Sequence, residues 1–285
     1  MKNTPRSLAL LHVAVMLFGL SAVLGRFTAL PAVLVAGGRV LCSSALLLGL
    51  CLATRTRLAL ATRRDLALAM GAGAVLAVHW TAFFQSVQMA SVAVGTLTYA
   101  TFPLFVTFLE PLVYREPLRP AAVGRAVLLL AGVLITVPAF SLQNRATAGV
   151  VWGMVSSLAY GVLTLCNRRL SRQYPARLVC LYEQGTAAVL LLLPAFFLVP
   201  AVYTPRDLGA VAAIGFVCTA LAHTLYVAAQ KGISAQTAGL VSGMETVYGI
   251  LYALLLLGEA PTLRELAGGA LILGVAAWST VRAEN

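Results

Sequence analysis

The chain has 285 residues, 60% hydrophobic and 10% charged, with a mean hydropathy of +0.92. A water-soluble domain carries about 25% charged residues, so this composition excludes a soluble globular protein and makes lipid the solvent. The net charge of +11 would point to nucleic acid in a soluble protein, but its placement along the chain gives it another meaning.

A helix that crosses the hydrocarbon core needs ~20 mostly apolar residues. Ten segments qualify: Leu8–Leu24, Ala32–Ala53, Leu66–Val87, Val92–Val113, Ala121–Phe140, Ala148–Leu170, Leu178–Val199, Leu208–Ala229, Ala235–Leu257 and Leu263–Val281. The first follows Lys2 and Arg6 as a signal peptide would. Its apolar run is long for a cleaved segment and no clean A-x-A site follows, so it reads as a retained span. Proline or arginine marks most joints, and the loops are too short to hold a soluble domain. The five cysteines are odd in number, show no C-x-x-C spacing and lie mostly in apolar runs; they read as small buried hydrophobes.

With an internal N-terminus, fifteen of the twenty Lys and Arg lie on the inside, in loops or near span ends, and four (Arg26, Arg145, Arg206, Arg264) on the outside, while Arg39 lies within span two. Basic loops resist translocation. The bias therefore predicts a multi-pass protein of the cytoplasmic (inner) membrane with both termini cytoplasmic. It accounts for the net charge as topology, with no nucleic-acid partner.

The stretches from His79 to Arg119 and from His223 to Arg264 match in outline. Each holds two apolar runs with a short polar break and closes on Glu116 or Glu259. Those glutamates are 143 residues apart, as are Ser91 and Ser234; His79 and His223 are 144 apart, as are Arg39 and Glu183. Five spans per half is an odd number, so the second copy enters from the opposite side. The expected domains are residues 1–140 and 147–285, related by a pseudo-two-fold axis in the membrane plane.

These motifs resemble the drug/metabolite transporter superfamily, and within it the EamA-type exporters. The likeness is carried by R-V-x-x-x-x-A at Arg39–Ala45, H-W-x-x-F-F-x-S and S-V-A-x-x-T-L between His79 and Leu97, T-F-P-L-F at Thr101–Phe105, R-E-P-L at Arg115–Leu118, and Gly258–Glu259. It covers almost the whole chain and is specific for the superfamily rather than for a substrate. The resemblance implies an all-α integral membrane protein of ten transmembrane helices in two inverted five-helix repeats. A central cavity would be lined mainly by spans one, three, four, six, eight and nine, and spans five and ten would be peripheral. Within the family, the chain resembles the bacterial aromatic and neutral amino-acid exporters.

Charged residues inside apolar spans cost about 2.5–3.5 kcal/mol each on insertion scales, so they face the bundle interior or water. Glu245 lies near the middle of span nine with Ser242, Gly249 and Tyr252 at helical spacing. It reads as a substrate-amine or proton site, or as a structural acid. Arg39 and Glu183 hold equivalent places in the two halves and read as structural or coupling charges, meeting across the pseudo-axis or serving each its own half; Arg39 also has the option of snorkelling outward. Glu110 reads as an interfacial acid. His79, Phe83 and Ser86 share a face of span three. Thr219, His223, Tyr226 and Gln230 share one of span eight. Trp152, Ser156 and Tyr160 share one of span six, and Tyr99 lies with Thr96 and Pro103 in span four. Polar and aromatic stripes on apolar helices point to a wet cavity or to interhelical hydrogen bonds. Trp152 fits an interfacial belt, Tyr99 and Tyr160 a pocket, and His12 helix packing. Gly149, Gly153, Ser157 and Gly161 make a small-residue stripe in span six, with Gly239 and Gly243 in span nine. Pro103 predicts a kink or hinge in span four.

There is no metal-ligand spacing, P-loop or Ser-His-Asp order, so neither an enzyme nor an ATP-driven pump is expected, and no cofactor. The expectation is a secondary transporter that exports amino acids or related small metabolites by alternating access. The expected substrate contacts are His79, Phe83, Tyr99, Tyr160, His223, Tyr226, Ser242 and Glu245. Proton coupling and passive facilitation both stay open. The alternatives are a sugar-phosphate or nucleotide-sugar transporter of the same superfamily, which would need paired buried cations, and a membrane-embedded enzyme acting on lipid.

Overall fold

A computed structural model of the chain describes residues 4–115, 120–137, 141, 143–230 and 241–282. Among these, all regular structure is helical: α1 (Thr4–Leu24), α2 (Ala32–Ala53), α3 (Arg63–Met89), α4 (Val92–Tyr99), α5 (Phe102–Tyr114), α6 (Pro120–Thr136), α7 (Arg145–Leu170), α8 (Ala176–Leu198), α9 (Pro205–Gly215), a π-helical turn (Phe216–Leu221), α10 (Ala222–Gln230), α11 (Met244–Leu257) and α12 (Leu263–Arg282). Among the described residues, seven rods are long and apolar enough to cross a membrane, and Pro120–Thr136 and Met244–Leu257 are shorter apolar helices. Glu116, Lys231, Ser234 and Gly239 lie outside the described residues.

The helix starts are written locally. Thr62 accepts from the Asp65 amide at 3.1 Å, Thr204 and Asp207 form a full capping box, and Thr262 and Glu265 exchange bonds in the same way. Each is a Thr-x-x-acid pattern that satisfies amides a helix start leaves open. Two of these acids also tie loops together. Asp65 accepts from the Tyr174 hydroxyl at 2.8 Å, and Asp207 accepts from the Thr28 hydroxyl at 2.8 Å.

Span four is broken rather than kinked. α4 stops at Tyr99, and Pro103 sits in the first turn of α5, where its missing amide costs nothing. Thr101 secures the break, its hydroxyl donating to the Thr98 carbonyl at 2.6 Å and meeting Ser157 Oγ at 3.2 Å. Span eight also differs from a uniform helix: Thr219 in the π-turn donates to the Ile214 carbonyl at 2.8 Å. Glu245 stands in the first turn of α11, after a break at Gly243, rather than in mid-helix.

The helices pair across the chain's midpoint. α3 packs on α7, α2 on α8, α6 on α12, and α1 on α10 and α11. Small residues set the closest approaches. A Cβ on Gly19 would lie 2.8 Å from the Glu245 carbonyl and from the Gly249 amide. On α7, Gly149, Gly153 and Gly161 face Ala90, Thr98 and Phe105 in turn, so the small-residue stripe is the seam against α3, α4 and α5.

One end of the bundle is latched by polar groups. Arg26, after α1, pairs with Glu259 at 2.7 Å and donates to the Gln88 carbonyl at 3.2 Å. Glu259 also accepts from the Val92 amide at 3.2 Å, and Glu265 accepts from Ser91 at 2.8 Å. Gly258 makes this possible: its φ of +68° ends α11 in a left-handed cap and turns Glu259 back across the bundle. Arg206 lies over Phe27 at the same end, and Arg264 donates to the Val137 carbonyl. At the opposite end, Tyr174 and Tyr182 fasten the 54–62 and 171–175 loops, with Tyr182 donating to the Leu58 carbonyl at 3.0 Å.

Candidate functional site

Below the latch, residues from α3, α4, α5 and α7 enclose an aromatic cluster. His79 and Phe83 come from α3, Tyr99 from the end of α4, Phe102 from the start of α5 and Tyr160 from α7. The His79 ring lies 5.0 Å from Tyr160 and 5.4 Å from Tyr99, centroid to centroid. Tyr99 and Tyr160 meet edge to face at 5.1 Å, and Phe83 meets Tyr99 at 5.8 Å. The break after Tyr99 matters here, because it puts a helix end, not a continuous wall, beside the tyrosines.

His79 is 1% exposed. Its Nδ1 lies 3.0 Å from the Ser156 carbonyl and 2.9 Å from Ser156 Oγ. A carbonyl only accepts, so Nδ1 carries the proton and Nε2 is left as an acceptor. Nε2 is buried with no partner among the described residues. Ser86, the third residue of that face, donates to the Gly149 carbonyl at 2.7 Å and so serves packing.

Arg39 is the second centre. It does not snorkel, being 1% exposed. Its guanidinium carbon stands 3.3 Å above the Trp80 ring, Nε donates to Thr219 at 2.7 Å and Nη1 to Ser21 at 3.0 Å. Thr219 belongs to the π-turn, a geometry that concentrates at functional sites. No carboxylate of a described residue pairs with Arg39. It does not meet Glu183, which is 4% exposed and turns to Asn167 on α7. Glu245 is within electrostatic reach of Arg39, Tyr99 and Tyr160.

The remaining expected residues form a neighbouring group against α1. His223 packs on Phe18 at 4.9 Å, Tyr226 on Phe18 at 6.0 Å, and the Tyr226 hydroxyl meets Ser242 Oγ at 3.1 Å. His12 joins α1 to α11 by a 3.0 Å contact with the Tyr248 hydroxyl. Trp152 is 40% exposed and stands apart. Trp80 and Phe102 were not singled out in the sequence as cavity residues, while Thr219 was read only as part of the polar stripe of span eight. Trp80 carried a signal, since it adjoins His79 in the H-W motif, whereas the π-turn that aims Thr219 has no local signature.

The EamA-like transporter family model matches residues 6–137 and again 147–281. The chain belongs to the EamA-like transporter family. It is thus a multi-pass membrane protein of transporter type, and its helices of membrane-crossing length fit that assignment. This EamA-like chain is 26% identical over 197 residues to the uncharacterized transporter YwfM of Bacillus subtilis, across 66% of this chain and 64% of that protein. It is 28% identical over 204 residues to an uncharacterized transporter of Helicobacter pylori, across 67% of this chain and 66% of that protein. A protein solved by crystallography shares the fold, with a TM-score of 0.69 and 22% identity over 99% of both chains.

Proposed function

We propose that this EamA-like protein is a secondary transporter that exports amino acids, aromatic or neutral, or related small metabolites, across the cytoplasmic membrane by alternating access. The observation that carries the reading is the aromatic cluster of His79, Phe83, Tyr99 and Tyr160, with Arg39 stacked on the adjoining Trp80 and held by hydroxyls instead of a carboxylate. An apolar site with a few directed polar groups is how small-molecule sites are built. A zwitterion would find a cation for its carboxylate, a carboxylate for its amine and stacked rings for its side chain. His223, Tyr226 and Ser242 line the path from the chamber along α1. A sugar-phosphate substrate is disfavoured, since it would call for a second buried cation beside Arg39.

We place ten spans in two inverted five-helix repeats, residues 1–140 and 147–285, with both termini cytoplasmic. Three features support this. The family model matches twice, on either side of a short linker. The Thr-x-x-Asp caps recur 142 residues apart, and each Asp holds the loop between the first two spans of the other half, one at each end of the bundle. Arg26 and Glu259 have Arg169 and Glu116 at 143-residue offsets. An Arg26–Glu259 latch at the outer end would then make the described conformation closed to the outside.

The test is flux of labelled amino acids into liposomes carrying the purified protein. Saturable uptake that competing aromatic or neutral amino acids suppress is expected. No flux for any amino acid would overturn the reading. If Glu245→Gln leaves flux and its pH dependence unchanged, Glu245 has no coupling role.

A further inference from the structure

A cavity of about 430 Å³ opens between α2, α8 and α10, toward the end of the bundle opposite the Arg26–Glu259 latch. Leu47 and Leu50 of α2 give it an apolar wall, and Leu50 is 40% exposed, so the cavity opens onto the face that meets lipid. Its polar groups are few and unusual. Ser43 Oγ, Gln184 Oε1 and Arg177 Nε are all buried without a hydrogen-bond partner among the described residues, and all three residues line this one cavity. Ser43 is 0% and Gln184 5% exposed. Polar atoms buried without partners are costly, and three of them around one space mark a site that something completes.

Arg177 stands in the first turn of α8, whose preceding residue, Pro175, supplies no side-chain cap. A helix start keeps amides free for an anion, and here a guanidinium lies beside them. The order of groups along the cavity is therefore a cation at the mouth, hydrogen-bonding side chains deeper in, and leucines facing the bilayer.

We propose that this cavity binds an anionic membrane lipid from the leaflet on the arginine-rich side. The headgroup phosphate takes Arg177 and the α8 amides. Ser43 donates to an ester oxygen, and the amide group of Gln184 accepts from a headgroup or glycerol hydroxyl. One acyl chain lies along Leu47 and Leu50. The site holds none of the aromatic cluster's residues, although its inner wall includes His223, which the proposed function places on the substrate path.

Native mass spectrometry of the full chain, released from phosphatidylcholine vesicles doped with phosphatidylglycerol, tests this. Wild type is expected to keep phosphatidylglycerol over phosphatidylcholine by about tenfold, the ratio that one charge-assisted hydrogen bond supplies. Arg177→Gln is expected to abolish the preference and Arg177→Lys to keep it. Leu47→Trp, which fills the chain's space and leaves the charge, is expected to lower retention of phosphatidylglycerol. Equal retention of the two lipids by wild type would overturn the proposal without reference to any variant. So would displacement of phosphatidylglycerol by inorganic phosphate alone, which would make the cavity a small-anion site. Unchanged retention in both Arg177→Gln and Leu47→Trp would overturn it as well.

Discussion

Arg39 poses the sharpest question at the scale of single residues. A guanidinium at depth is costly, and this one is stacked on Trp80 and held by two hydroxyls instead of a carboxylate. A purely structural role would make its replacement destabilising. If instead the site keeps a cation for substrate, the apolar Arg39→Met should leave the thermal midpoint unchanged or higher, because a buried charge is gone. Flux should fall at least about tenfold, since one charge-assisted hydrogen bond of ~1.5–3 kcal/mol is lost. Thermal shift and liposome flux on the same preparation separate the two roles. Tyr99 gives a second test. Tyr99→Phe keeps the ring that meets His79, Phe83 and Tyr160, so flux should stay within about threefold of wild type. Tyr99→Ala removes stacking worth ~0.5–1.5 kcal/mol per ring pair and should raise the KM for an aromatic amino acid by about tenfold or more.

At the scale of elements, close backbone approach carries much of the packing. Gly153 faces Thr98 so closely that a Cβ there would overlap the threonine side chain. Gly153→Val should therefore destabilise the protein by about 1–3 kcal/mol, read as a lower thermal midpoint. Gly124→Ala should be neutral, because nothing lies within 4 Å of a Cβ at that position. Thr204→Ala removes one half of the α9 capping box and should cost about 1 kcal/mol. These elements were largely legible in the sequence. Span boundaries follow from apolar runs and Pro or Arg joints, and α2 occupies Ala32–Ala53 as the apolar run predicts. The small-residue stripe of α7 names its own seam. The break at Ala100–Thr101 was harder to place: Pro103 signals that something yields nearby, but a proline alone does not tell a kink from a new helix start. The π-turn was not legible at all: its Thr219 accepts from Arg39 of another helix, a contact no local pattern announces. The same limit applies to the chamber. Each aromatic stripe was visible on its own helix, but the meeting of Tyr99 with Tyr160, and the separation of Arg39 from Glu183, depend on packing between distant spans.

For the whole molecule, the central idea is that two halves of one design hold a chamber that opens to either side in turn. In the proposed cycle, the polar latch of Arg26, Gln88, Val92 and Glu259 would be the contact that closes this end. The partly exposed ion pair contributes only ~0.2–1 kcal/mol, little enough for the proposed cycle to break it. The most direct measurement is flux through a chain with its native cysteines replaced and carrying Arg26→Cys and Glu259→Cys, before and after bridging by a short thiol-specific crosslinker. Bridging is predicted to stop flux, and reductive cleavage of a disulfide-containing linker to restore it. Undiminished flux through the bridged protein would contradict alternating access through this end of the bundle.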